Sequence, residues 1–238
     1  MTRTVKRAFA RACALSLVVD LASASPATFR VVRGALAPTE GRLGDAVASA
    51  FSGVTLPIAA AVVVGSVLVS GAPLRAHVDR LVAAGLEPRA VIGRPLALAL
   101  AASALSGALA GGLTLGLLRA ILHLGPPSFA LFDVLATGWA VACGALAWTG
   151  LASAFAIRSG RPARAWSVVA IDLLSRLLPG GAAWLAPSAH VGNLLGAPPP
   201  RGLVPVPALP QGVSVAVLLS LALVASFVAA RRYQGARA

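Results

Sequence analysis

Seven acidic residues and three histidines are all that this 238-residue chain offers for acid–base or metal chemistry. Asp20, Asp133 and Asp172 lie in or beside long apolar runs, where a carboxylate is costly unless it is paired. Asp172 and Arg176 are four residues apart, so on a helix they share a face and can pair. In an apolar setting such a pair lines a substrate path or gate, with Asp20 as a further member of the same polar interior. The plainer alternatives are a structural pair that neutralises itself, or an Arg176 that snorkels outward. His77, His123 and His190 are far apart, read as loop residues, and lack metal-ligand spacing. The only lysine is Lys6, which excludes a Gly-x-x-x-x-Gly-Lys-Ser/Thr phosphate loop. Any ATP this protein uses must therefore sit on another chain. A Gly-x-Ser-Gly serine motif is also missing. The residues predict no catalytic group, metal site or cofactor in this chain. Cys13 and Cys143 fall inside apolar runs and read as buried structural thiols.

Mean hydropathy is +0.87 and only 11% of residues are charged. A soluble domain of this size has no use for so much apolar surface, so the expected class is all-α: a polytopic membrane protein with a single transmembrane domain over 1–238. The net charge of +13 does not signal nucleic acid, because the basic residues are scattered between apolar runs. Arginine outnumbers lysine nineteen to one and Ala and Gly abound, a bias that fits a GC-rich bacterial genome.

Six spans are predicted at about 8–25, 47–71, 93–118, 134–157, 166–186 and 211–230. The first competes with a signal peptide: Arg3, Lys6, Arg7 and Arg11 precede a short apolar run and Ala22-Ser23-Ala24. Asp20 inside that run favours an uncleaved helix. Fourteen of the 20 Lys and Arg fall in the N-terminus, the 74–94 stretch, the 158–164 loop and the C-terminal tail, which predicts those parts and both termini to be cytoplasmic. Gly107-x-x-x-Gly111 and Gly112-x-x-x-Gly116 carry small residues at a spacing that lets helix backbones approach, within one subunit or across a homodimer face. The Pro- and Gly-rich stretch from Pro187 to Gln211 reads as an external loop.

Residues 74–92 form the most charged run in the chain. Leu74, Val78, Leu81 and Val82 recur at helical spacing, opposite Arg75, His77, Asp79 and Arg80. Gly85 sits where a helix stops and Pro88 where the next starts. The spacing predicts a short amphipathic helix, a tight turn and the beginning of a span: a cytoplasmic elbow, suited to meeting a soluble partner.

This layout resembles the membrane subunit of a bacterial ABC exporter of the type 2 permease family. Arg75 to Arg94 lies where that family's coupling loop lies. Trp184-Leu-Ala-Pro-Ser-Ala-His190, with Gly196 after it, is similar to the family's Ser-Pro…His segment before the final span. The permeases of the lipopolysaccharide exporter are similar over one stretch, here Asp79, Ala83-Ala84-Gly85-Leu86-Glu87 and Arg94-Pro95, with Leu56-Pro57 upstream. The resemblance implies a multi-pass permease of the bacterial inner membrane that couples ATP hydrolysis by a separate ATP-binding cassette subunit, which holds ATP and Mg, to export of a hydrophobic or lipid-like substrate. It also implies a second permease chain, identical or homologous, and membrane lipids as partners. Val78, Leu81 and Val82 would anchor in a groove of the ATPase, with Arg75, Asp79, Arg80, Glu87 and Arg89 as polar contacts. Two other readings stay open: an ATP-independent secondary transporter titrating at Asp20 or Asp172, and a non-transporting scaffold subunit.

Overall fold

The computed structural model describes residues 72–113, 130–159, 166–178, 181–195 and 209–235. The predicted spans at 8–25 and 47–71 lie outside them, as do Asp20 and Gly116. Among the described residues every element is helical. The order is α1 (Ala72–Ala83), α2 (Pro88–Gly111), α3 (Ala130–Ser159), α4 (Trp166–Leu177), a 3-10 turn (Gly181–Leu185), α5 (Pro187–Leu194) and α6 (Gln211–Gly235).

Three of these are long and apolar enough to cross a membrane: α2 over Val91–Leu109, α3 over Val134–Phe155 and α6 over Gln211–Arg231. At the helical rise these stretches cover about 28–33 Å, the thickness of a bilayer's hydrocarbon core. The 30-residue α3 is the central element, with α2 packed on one side, α6 on another, and α5 against both α3 and α6. Ser103 meets Thr149, Gly107 meets Ala145 and Gly111 meets Val141, so α2 and α3 are antiparallel. Gly150 lies against Ala222, and Ala154 clusters with Ala225 and Ala229, so α3 and α6 run in the same direction.

Small residues make these approaches possible. A Cβ on Gly107 would stand 2.9 Å from the Cβ of Ala145, and one on Gly111 would stand 2.7 Å from the Cβ of Val141. Both are closer than carbon atoms approach, so only glycine lets α2 lie this near α3. The predicted packing glycines Gly107, Gly111 and Gly112 thus face another helix of the same chain.

The elbow is a helix–turn–helix. α1 ends in a Schellman arrangement: the Leu86 N–H donates to the Leu81 carbonyl (3.2 Å) and the Gly85 N–H to the Val82 carbonyl (3.0 Å). Gly85 has φ +87°, a conformation that costs any side-chain-bearing residue. Glu87 is extended (φ −63°, ψ 127°) and Pro88 opens α2 in its first turn, where its missing N–H costs nothing. The last residues of the predicted elbow therefore belong to the spanning helix itself.

The segment after α3 departs from expectation. Predicted as one span over 166–186, with Pro179-Gly180-Gly181 as a candidate break of its outer end, it is divided: α4 stops at Leu177, and a 3-10 turn and α5 follow. Pro179 accounts for the stop, since it lacks an N–H and disfavours helical geometry in the residue before it. The 12 residues of α4 reach about 18 Å, too short to cross alone. The stretch read as an external loop begins as α5, with Pro187 in its first turn and Pro187 through Val191 buried. His190 is accordingly a helix residue rather than a loop residue, while His77 falls on α1, the short helix expected over the elbow.

Candidate functional site

The divided segment carries a buried polar cluster into the bundle. Asp172 on α4 is 6% exposed and Arg176, one turn on, is 4% exposed. The Asp172 carboxylate accepts three hydrogen bonds. Trp148 Nε1–H of α3 donates to Oδ2 at 2.8 Å. The Ser188 backbone N–H donates to the same oxygen at 3.3 Å, and Ser188 Oγ–H donates to Oδ1 at 2.8 Å. The Ser188 hydroxyl in turn accepts from Arg176 Nη1 at 3.5 Å. The expected i,i+4 ion pair is thus relayed through a serine. Arg176 Nε is buried with no hydrogen-bond partner.

The Ser188 N–H is one of the orphan donors at the start of α5, and Ala186, at the N-cap position, supplies no side-chain bond. Asp172 does so from α4, acting as a cap in space rather than in sequence, where a carboxylate also complements the helix dipole. Trp148 lies two turns inside the Phe155 end of its apolar window, about 10 Å along the helix. The cluster therefore lies well inside the stretch of α3 that is long and apolar enough to cross a membrane.

A second polar group lies nearby. His190, fully buried, directs Nε2 at the Trp184 carbonyl (2.8 Å) and Nδ1 at Ser214 Oγ of α6 (3.2 Å). A carbonyl only accepts, so Nε2 carries the proton. Ser214 Oγ also accepts from Asn193 Nδ2 (2.9 Å), while Asn193 Nδ2 donates to the Leu209 carbonyl (3.0 Å). The serine proton is then free for Nδ1. The network ties the 3-10 turn, α5 and the start of α6 together. Between α2 and α3, Ser103 donates to the Ala145 carbonyl (3.3 Å) and hydrogen-bonds Thr149.

At the elbow the structure redistributes the expected contacts. Val78 is 2% exposed and belongs to a core cluster with Val91, Ile92, Ala154, Ala225 and Ala229, against which Leu81 and Val82 also pack. Val78, buried, and Leu81 and Val82, partly buried, fasten α1 to its own bundle, because they lie on the face turned toward α2. What the turn presents outward is Arg80, Leu86 and Glu87, all exposed. Arg80 Nε donates to the Ala76 carbonyl one turn back (3.0 Å). Asp79 is partly buried, and the side chains of Arg75 and Arg89 lie outside the described set. The same cluster gathers the elbow and the ends of α3 and α6 at one end of the bundle. Arg94 and Arg231 are exposed, and Arg231 lies 4.7 Å from the Phe227 ring centroid.

Sequence reasoning found Asp172 and Arg176 but missed Trp148 and Ser188, which join them from 24 and 16 residues away. The usable signal was Pro187-Ser188, a helix start with an unmet N–H, placed after a charged pair in an apolar run. Three helices long and apolar enough to cross a membrane give the class the described residues support, an all-helical protein with the make-up of a multi-pass membrane protein. No protein-family model, curated protein or solved structure matches this chain.

Proposed function

We propose that the chain is the membrane-spanning permease subunit of an ABC exporter in a bacterial inner membrane, six-spanning with both termini inside. In this reading ATP hydrolysis by a separate subunit drives export of a hydrophobic or lipid-like substrate. The observation that carries the proposal is the construction of the elbow. A rigid Schellman turn and Pro88 join α1 to a helix that continues without interruption into the bilayer. Val78 holds α1 against the ends of α2, α3 and α6. A partner pressing on the turn at Arg80, Leu86 and Glu87 would therefore tilt α2 as a rigid lever, the way closure of two ATPase subunits is transmitted in a hinge-type transition. A second permease chain completes the pathway.

Purification from the native host in mild detergent, with mass spectrometry of co-purifying chains, tests this. An accompanying protein with Walker A and signature motifs is expected. Leu86→Asp with Glu87→Arg is expected to cut permease-stimulated ATP hydrolysis at least tenfold, about 1.4 kcal/mol of coupling, with insertion intact. Unchanged stimulation removes the turn from the contact, and reproducible isolation of the folded chain alone removes the ABC reading.

One observation favours a different role. The Asp172 carboxylate accepts three hydrogen bonds from its own chain, as in a scaffold subunit whose polar cluster only holds helices together. Under that reading, variants at Asp172 change stability and no transport activity exists to lose.

A further inference from the structure

We propose that Arg176 is the binding residue for the anionic head of an amphiphile, a phosphate or carboxylate oxyanion held at membrane depth. The guanidinium carries five N–H donors, and the side chain is 4% exposed. Its one hydrogen bond among the described residues is the long Nη1 contact to Ser188 Oγ, at 3.5 Å. Nε is buried without a partner. None of the three hydrogen bonds that the adjacent Asp172 carboxylate accepts comes from Arg176: Oδ2 accepts from Trp148 and the Ser188 N–H, and Oδ1 from the Ser188 hydroxyl. A desolvated guanidinium with unspent donors is matched by an oxyanion that accepts from its planar fork.

The surroundings select an amphiphile over a free anion. Arg176 lies in the last turn of α4, a helix too short to cross a membrane by itself. Leu173, one turn back on the side of α4 next to Arg176, is exposed, as are Leu177 beside it and, farther round, Ile171, Leu174 and Leu178. This strip starting at Leu173 offers an apolar surface to acyl chains. A lipid whose head reaches Arg176 would lay its tails along that surface. Binding rests on this geometry alone. Naming the bound lipid as the transported substrate rests on the permease reading above.

The test uses the full chain in mild detergent and native mass spectrometry, with phosphatidylglycerol and phosphatidylcholine of the same acyl chains. At least tenfold preferential retention of phosphatidylglycerol is expected. Arg176→Gln is expected to erase the preference. Arg176→Lys, which keeps the charge but not the fork, is expected to reduce it about tenfold, corresponding to one charge-assisted hydrogen bond. Arg231→Gln, at the exposed basic end, is expected to retain it, which separates the site from general surface attraction. Equal phosphatidylglycerol retention by the wild type and Arg176→Lys overturns the proposal, also where Arg176→Gln does not fold. Displacement of the lipid by millimolar inorganic phosphate assigns the site to a soluble anion and overturns the amphiphile. Lipid retention without any co-purifying ATPase leaves this site standing and removes the permease reading instead.

Discussion

The hydrogen bond from Trp148 Nε1 to Asp172 is the contact that fixes α4 to the central helix, and its strength can be worked out before it is measured. At 2.8 Å, between buried partners, with a carboxylate as acceptor, it belongs to the charge-assisted class worth about 1.5–3 kcal/mol. Neutral interhelical hydrogen bonds in membranes average only about 0.6 kcal/mol. A double-mutant cycle separates the two regimes: Trp148→Phe, Asp172→Leu and the pair together. Asp172→Leu alone strands the Trp148 and Ser188 donors and leaves Arg176 without its neighbouring charge, at a cost of about 3–5 kcal/mol. Trp148→Phe should cost about 1.5–3 kcal/mol less when Asp172 is already gone. For a chain of this length that difference is roughly 3–12 °C in melting temperature. Cys143 supplies the probe, since its thiol is 1% exposed and reacts with a thiol-sensitive dye only as the bundle opens. A Cys13→Ser background removes the other thiol. Additivity of the two substitutions within about 0.5 kcal/mol would refute the reasoning, because a carboxylate that truly holds the indole cannot be independent of it.

Three further outcomes are expected. Gly107→Ala places a methyl 2.9 Å from Ala145 Cβ and 3.3 Å from the Val141 carbonyl oxygen. It should destabilise by about 1–3 kcal/mol in the same dye assay, whereas Gly93→Ala, with nothing within 4 Å, should raise stability by about 0.5–1 kcal/mol. Gly85→Ala forces a side chain into φ +87° at about 1–2 kcal/mol, and faster exchange of the Leu86 amide by roughly fivefold to thirtyfold is the expected readout. Ser214→Ala leaves His190 Nδ1 without its donor and should cost about 1–3 kcal/mol; an unchanged melting temperature would remove the serine from the network.

How much of this was legible in sequence depended on the distance over which each feature is decided. The elbow was readable because its signals are local: Gly85 needs only its own positive φ, Pro88 only the first turn that follows. The apolar runs behind α2, α3 and α6 announce themselves by composition, and the glycines of α2 by their spacing of four. What composition did not resolve is which apolar face meets protein. Val78, Leu81 and Val82 carry the pattern of an exposed docking stripe, yet they pack on the chain's own helices. The pattern shows that a face must be covered, and the covering partner is fixed by tertiary structure alone. The division of the 166–186 segment was half legible, since Pro179-Gly180-Gly181 marks a break but not the helix resuming beyond it. Trp148 was invisible as a partner, because nothing in an indole at one position points to a carboxylate 24 residues later.

The buried polar groups and the broken span explain each other. A helix that stops at membrane depth leaves backbone donors and acceptors where no water can reach them, each a penalty of several kcal/mol. Here the break falls between α4 and α5, and the polar side chains lie where its backbone groups need them. Asp172 takes the Ser188 N–H at the opening of α5, while Pro187, the residue before, has no N–H to satisfy. His190 Nε2–H takes the carbonyl of Trp184 in the 3-10 turn. An apolar residue at either position would leave the break without those bonds, so Asp172 and His190 follow from the break rather than from a reaction. Arg176 does not fit that account. It contacts one hydroxyl, satisfies no backbone group among the described residues, and keeps a buried donor unspent. A charge that the fold does not need for its own hydrogen bonds, retained inside an apolar bundle at the cost of desolvation, is the residue of this cluster with capacity left for something that is not part of the chain.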